Sequence, residues 1–139
     1  MATTTAAVTL TSDLLSDNMS VSASTTCMKA ATTADGLDMM DYGYIELAST
    51  DNQKQFIDAT TAGVGKANKV YICNDSTDET YYVIVTIDAT VVGRLYAGDW
   101  MFIPWGAEDA TADIEIQAYT GTNKISYAWF HEGKTLTSA

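Results

Sequence analysis

Beyond residue 68 the chain alternates apolar and polar positions with a period of two, interrupted by short polar turns. Ile114, Ile116 and Ala118 fall on one side of a segment whose other side is Asp113, Glu115 and Gln117, the pattern of a strand with one buried face. The same reading predicts strands at Lys69–Cys73, Tyr81–Ile87, Val92–Tyr96, Trp100–Pro104 and Ile125–Phe130. Asn74–Asp78, Ala97–Asp99 and Thr120–Asn123 supply the turn residues between them. Earlier in the chain, Tyr42–Leu47 reads as a strand, while Val8–Leu10 and Val21–Thr25 read as weak ones. Ser12–Leu15 is expected to open a short helical turn, Asp51–Asp58 to form a turn or a single helical turn, and residues 60–65 to form a loop.

With no long helical period between strands, parallel α/β crossovers are excluded. The expected fold is all-β: antiparallel sheets packed as a sandwich, jelly-roll-like, with an extended N-terminal arm. Two segments are distinguished. Residues 1–40 hold no aromatic residue and are rich in Thr, Ser and Ala, so they read as an arm or edge-strand segment; residues 41–139 hold every Phe, Tyr and Trp and form the sandwich domain. Within Trp100–Trp105 both phases of the alternation are apolar, which predicts cover on both sides, by the partner sheet and by a neighbouring chain.

The 139 residues suffice for one core, and a net charge of −11 with only seven Lys and Arg changes the list of partners. Such a chain repels phosphate backbones and anionic lipid, so neither nucleic acid nor membrane is expected as a partner. The N-terminus lacks the basic and apolar regions of a secretory signal, pointing to synthesis in a cytoplasm. Cys27 and Cys73 form no CxxC or Cys/His pattern and are expected as small hydrophobes rather than as zinc ligands or a disulfide.

Candidate chemistry is sparse. Gly98, Pro104 and Gly106 fit Gly-x5-Pro-x-Gly, which resembles the hairpin motif of cupin jelly rolls, where glycine permits the turn and proline ends the strand. The histidines of a cupin metal site are missing: His131, beside the last strand, is the sole histidine and reads as a surface residue at a turn. No Gly-x-Ser-x-Gly elbow occurs. Asp35, Asp38 and Asp41, then Asp75, Asp78 and Glu79, then Glu108, Asp109 and Asp113 read as solvated turns without the spacing of a calcium loop. The expectation is a protein that is not an enzyme, with no catalytic residue, cofactor or metal. Trp100, Trp105, Trp129 and Phe130 are expected to support the core or a subunit interface.

Four segments carry a resemblance. Lys69–Ser76 contains Val-Tyr-Ile-Cys-Asn, Tyr81–Val85 follows, Arg94–Trp105 contains Leu-Tyr-Ala-Gly-Asp and then Phe-Ile-Pro, and Ala128–Phe130 closes with aromatics. Over roughly its C-terminal half the chain resembles small virion proteins of tailed bacteriophages, among them capsid decoration or cement proteins. The resemblance implies a β scaffold on the capsid surface that bridges major capsid protein subunits as a dimer or trimer, with residues before Asp41 touching the shell. Two alternatives remain at this point: another head or tail component that binds a host surface, and a metal-free cupin-like protein that binds a small ligand.

Overall fold

The computed structural model describes residues 3–14, 19–29, 36–37, 39–57, 66–105 and 111–132; for Met19 and residues 54–57 the description is of the backbone alone. Ten strands run in chain order: β1 Thr4–Ser12, β2 Met19–Cys27, β3 Met39–Ala48, β4 Lys54–Ile57, β5 Asn68–Asn74, β6 Tyr82–Ile87, β7 Thr90–Tyr96, β8 Trp100–Trp105, β9 Ile114–Ala118 and β10 Thr122–His131. The fold is all-β and antiparallel, as the alternation predicts.

Strands β3 to β10 behave as one long hairpin folded over on itself. Its pairs are β3 with β10, β4 with β9, β5 with β8 and β6 with β7. Alternate pairs lie in opposite layers, giving one sheet of order β3-β10-β5-β8 and another of order β4-β9-β6-β7. These are the two sheets of an eight-stranded jelly roll. The additional pairings of β10 with β5 and β6 with β9 join the folded halves.

Between the layers lies a core of Leu47, Val70, Ile72, Val83, Val85, Leu95, Trp105, Ile114, Ile116, Ala118 and Ile125, with Ile45, Met101, Ile103 and Trp129 packed against it. The residues come from alternate positions of each strand, so strict alternation in β9 and β5 translates directly into burial. Among the described residues, aliphatic side chains together with Trp105 and Trp129 lie between the two layers.

The weak strands expected at Val8–Leu10 and Val21–Thr25 fall within β1 and β2, which form a hairpin with nine cross-strand pairs, from Thr4 opposite Cys27 to Ser12 opposite Met19, rather than an extended arm. Thr, Val and Ser suit a pleated strand even without aromatic neighbours. The helical turn at Ser12–Leu15 is not formed at its described residues: Ser12 ends β1, and the Leu14 N–H donates to Ser12 Oγ at 3.3 Å. Leu15 lies outside the described residues, as do residues 60–65, Gly106 and the acids Asp35, Asp38, Glu108 and Asp109. After β3 the chain turns at Ser49–Asp51, where the Ala48 N–H donates to Asp51 Oδ2 at 2.8 Å, and continues into β4 rather than a helical turn.

Candidate interaction surface

The outer face of the β3-β10-β5-β8 sheet is built from the positions that alternate with the core. Registers fix its cross-strand rows. Tyr42 lies opposite Ala128, Ala128 opposite Tyr71 and Tyr71 opposite Phe102; the next row runs Met40, Phe130, Lys69 and Pro104, and the one beyond runs Tyr44, Ser126, Cys73 and Trp100. A solvent-facing side of a jelly roll is ordinarily polar; this one carries five aromatic residues and a methionine in addition to Tyr44. Tyr71 and Trp100 sit 6.4 Å apart between ring centres, and Phe102 meets Phe130 edge-on at the same separation.

The N-terminal hairpin lies against this face. Thr4, Thr5, Ala6, Ala7 and Val8 of β1 line a cleft of about 370 Å³ with Tyr71, Trp100, Phe102, Ala128 and Phe130. A second cleft of about 410 Å³ lies between Thr3–Thr5, Leu37, Met39, Met40 and Phe130. The hairpin is itself two-faced: Ala6, Val8 and Leu10 pair with Thr25, Ala23 and Val21 on one side, while Thr5, Ala7, Thr9 and Thr11 pair with Thr26, Ser24, Ser22 and Ser20 on the other. Its apolar side is incompletely covered, since Leu10 and Val21 are exposed. A two-stranded ribbon of this kind gains most of its stability from the surface it lies on.

Along the outer face of β5, the neighbouring Cys73 thiol followed by burial pushes the Tyr71 phenol up from its ordinary value to about 12. Burial also raises the Cys73 thiol above its ordinary value. Both cysteines are free, with Cys27 buried and Cys73 partly so.

The four tryptophan and phenylalanine residues singled out from sequence separate by parity. Trp105 (4% exposed) belongs to the core, and Trp129 packs against it while its Nε1 donates to Asn68 Oδ1 at 3.1 Å. Trp100 (51% exposed) and Phe130 belong to the outer face. His131 is partly buried at the end of β10, stacked on Trp129 at 4.2 Å between ring centres, with Nε2 2.9 Å from Asp41 Oδ2. Tyr42, Tyr71 and Phe102 complete the outer face; their phase within the alternating strands was the available signal. On the opposite sheet, Tyr82 stacks with Tyr119 at 5.6 Å and meets Tyr96 at a tilt at 5.1 Å, and Arg94 lies 5.0 Å from the Tyr82 ring centre. Among the described residues, no three metal-binding side chains converge.

The residues behind the phage resemblance are physically coupled. Asn74, which closes the Val-Tyr-Ile-Cys-Asn segment, donates through Nδ2 to the Leu95 carbonyl at 3.0 Å. Its carbonyl accepts from Gly98 N–H at 2.8 Å, and its own N–H donates to the Asp99 carbonyl at 2.9 Å. The two segments thus form one corner of the jelly roll, a structural clamp between β5 and the β7–β8 turn. No family model matches the chain, and no curated protein matches it in sequence.

Proposed function

We propose that the protein is a non-enzymatic virion component that decorates the capsid of a tailed bacteriophage, binding major capsid protein and bridging its subunits. The observation that carries this reading is the aromatic outer face of the β3-β10-β5-β8 sheet with a two-faced hairpin laid partly across it. Exposed Trp and Tyr on a rigid sheet provide large contact area at low entropic cost, and the exposed apolar end of the hairpin extends that area. Jelly rolls occur in viral capsids, lectins and cupins, and a virion role fits that fold-level analogy. Binding at many equivalent shell positions makes a modest contact per copy sufficient for stable bridging.

A second reading has its own observation. The Tyr82, Tyr96, Tyr119 and Arg94 cluster on the other sheet is suited to stacking on a host-surface glycan, as in a head or tail fibre component.

The test is sedimentation with purified expanded capsids. Decoration gives pelleting at fixed stoichiometry per shell and a higher capsid disruption temperature, both reduced by Trp100→Ala. Protein that stays in the supernatant with capsids yet pellets with cell envelopes, in a manner sensitive to Tyr119→Ala, rejects decoration in favour of the second reading.

A further inference from the structure

Four strands form the edges of the two sheets, and three of them carry a feature that discourages strand addition. In β8, Pro104 removes a backbone donor; β4 has only four residues; and β7 meets β6 across a register shift at Val85 and Thr86. Prolines, short length and bulges are the devices by which natural sheets blunt their edges. The fourth edge, β3, has none of them. It runs ten residues with an uninterrupted register against β10, contains no Lys, Arg or Pro, and pairs with no other described strand on its far side. Its outer-face side chains are left in solvent, with Tyr42 and Tyr44 69% and 79% exposed.

We propose that β3 pairs antiparallel with β3 of a second copy of this chain, forming a two-fold dimer in which the two four-stranded sheets join into one of eight strands. The occupant is argued from self-complementarity. A two-fold axis through Gly43 sets Tyr42 of each copy opposite Tyr44 of the other, Asp41 opposite Ile45, Met40 opposite Glu46 and Met39 opposite Leu47, so that no carboxylate faces a carboxylate. Axes through Asp41 or Glu46 would place like charges directly opposite and are disfavoured. Within the monomer, Asp41 Oδ2 lies 2.9 Å from His131 Nε2, and Glu46 lies opposite Lys124 in the β10 register. Exchange of backbone hydrogen bonds provides the attraction, and the paired tyrosines provide register. The dimer joins two aromatic outer faces side by side, but its formation does not depend on what those faces bind.

The experiment is solution mass by light scattering, without capsids, across a concentration series up to millimolar. The wild-type chain is expected at twice its 14.9 kDa monomer mass. Tyr44→Lys and Tyr42→Lys place a charge on an edge where lysine blocks pairing, and each should raise the dimer dissociation constant at least tenfold, while Tyr44→Phe retains the dimer. Both positions are highly exposed, so an unchanged thermal unfolding temperature at low concentration verifies that the lysine variants fold. A wild-type mass of 14.9 kDa at every concentration, a threefold mass, or a dimer indifferent to both lysines overturns the proposal.

Discussion

The side chains of Asn74 and Asn123 meet in the interior, each without solvent exposure, with Asn74 Nδ2 3.1 Å from Asn123 Oδ1. Asn123 Nδ2 donates in turn to the Thr120 carbonyl at 2.9 Å, and Asn74 Oδ1 accepts from the Ser76 N–H at 3.1 Å. The pair ties the end of β5 to the turn entering β10, while the Asn74 bond to Leu95 reaches β7. Buried amides cost stability unless every group is satisfied, and a network satisfied this fully specifies one arrangement of the corner.

Removing one partner leaves the others stranded. Asn74→Ala is therefore expected to destabilise the fold by about 2–4 kcal/mol, because several desolvated groups lose partners at once. Asn123→Ala should cost a comparable amount, and the double variant less than the sum of the two. Urea unfolding of the four proteins measures the cycle; strict additivity would refute the coupling.

The β6–β7 turn carries a correctable strain. Asp88 and Ala89 both have positive φ, 49° and 57°, as a two-residue hairpin turn of this hand requires. Aspartate tolerates that region, whereas alanine pays for its Cβ there. Ala89→Gly is expected to stabilise the protein by about 0.5–1 kcal/mol, since relief of strain outweighs glycine's greater unfolded-state entropy. A higher denaturant midpoint with unchanged slope checks it.

Gly121 presents the opposite case. Its φ is +60°, and the Tyr81 ring occupies the space that a Cβ would take. The Ser49 N–H also donates to its carbonyl at 2.8 Å, binding this turn to the end of β3. Gly121→Ala should cost about 2 kcal/mol or more, from backbone strain plus displacement of the ring. The companion variant Tyr81→Ala/Gly121→Ala, if the steric account is right, recovers part of the loss relative to Tyr81→Ala alone; a full additive penalty would assign the cost to φ only.

Most strands were legible because period-two alternation is a direct consequence of one-sided burial, and it is strongest where the face is fully buried, as in β9. Within residues 51–58, read as a turn or a single helical turn, β4 is not legible because its four residues, Lys54-Gln55-Phe56-Ile57, offer too few positions to reveal a period; Asp58 lies outside the described residues. The strands of the N-terminal hairpin are legible as weak ones, whereas their pairing is not, because segments poor in large apolar residues show no face: β1 and β2 pair with each other, and β1 lines a cleft with Phe102 and Phe130. Sequence showed that both phases of β8 are apolar, but not what lies on its outer side. That depended on which strands the topology sets beside Trp100.

Alkaline stability should decline in two steps. The Tyr71 phenol and the Cys73 thiol are both raised in the folded state, so the unfolded chain releases these protons first. Their contribution is complete below the ordinary thiol value of 9.0 and is lost as pH rises, with the Tyr71 part fading between 10.0 and about 12. Urea midpoints across that range should fall less steeply for Tyr71→Phe than for wild type. Identical slopes would mean that the raised Tyr71 phenol contributes nothing.

The two tryptophans at the ends of β8 separate stability from binding. Trp105 fills the core, and its indole N–H has no hydrogen-bond partner among the described residues, so its value lies in volume. Trp105→Ala is expected to cost about 3–5 kcal/mol and Trp105→Phe distinctly less. Trp100 is half exposed on the outer face, and Trp100→Ala should change stability by less than about 1 kcal/mol. If that face is the capsid-binding surface, Trp100→Ala nevertheless weakens capsid binding by about tenfold or more, as truncation of an aromatic hot spot does. Denaturant titration and capsid co-sedimentation of the same three variants separate these effects. Trp105→Phe that binds normally, beside Trp100→Ala that folds but does not bind, is the expected pattern. Wild-type binding by Trp100→Ala would move the contact off this sheet face.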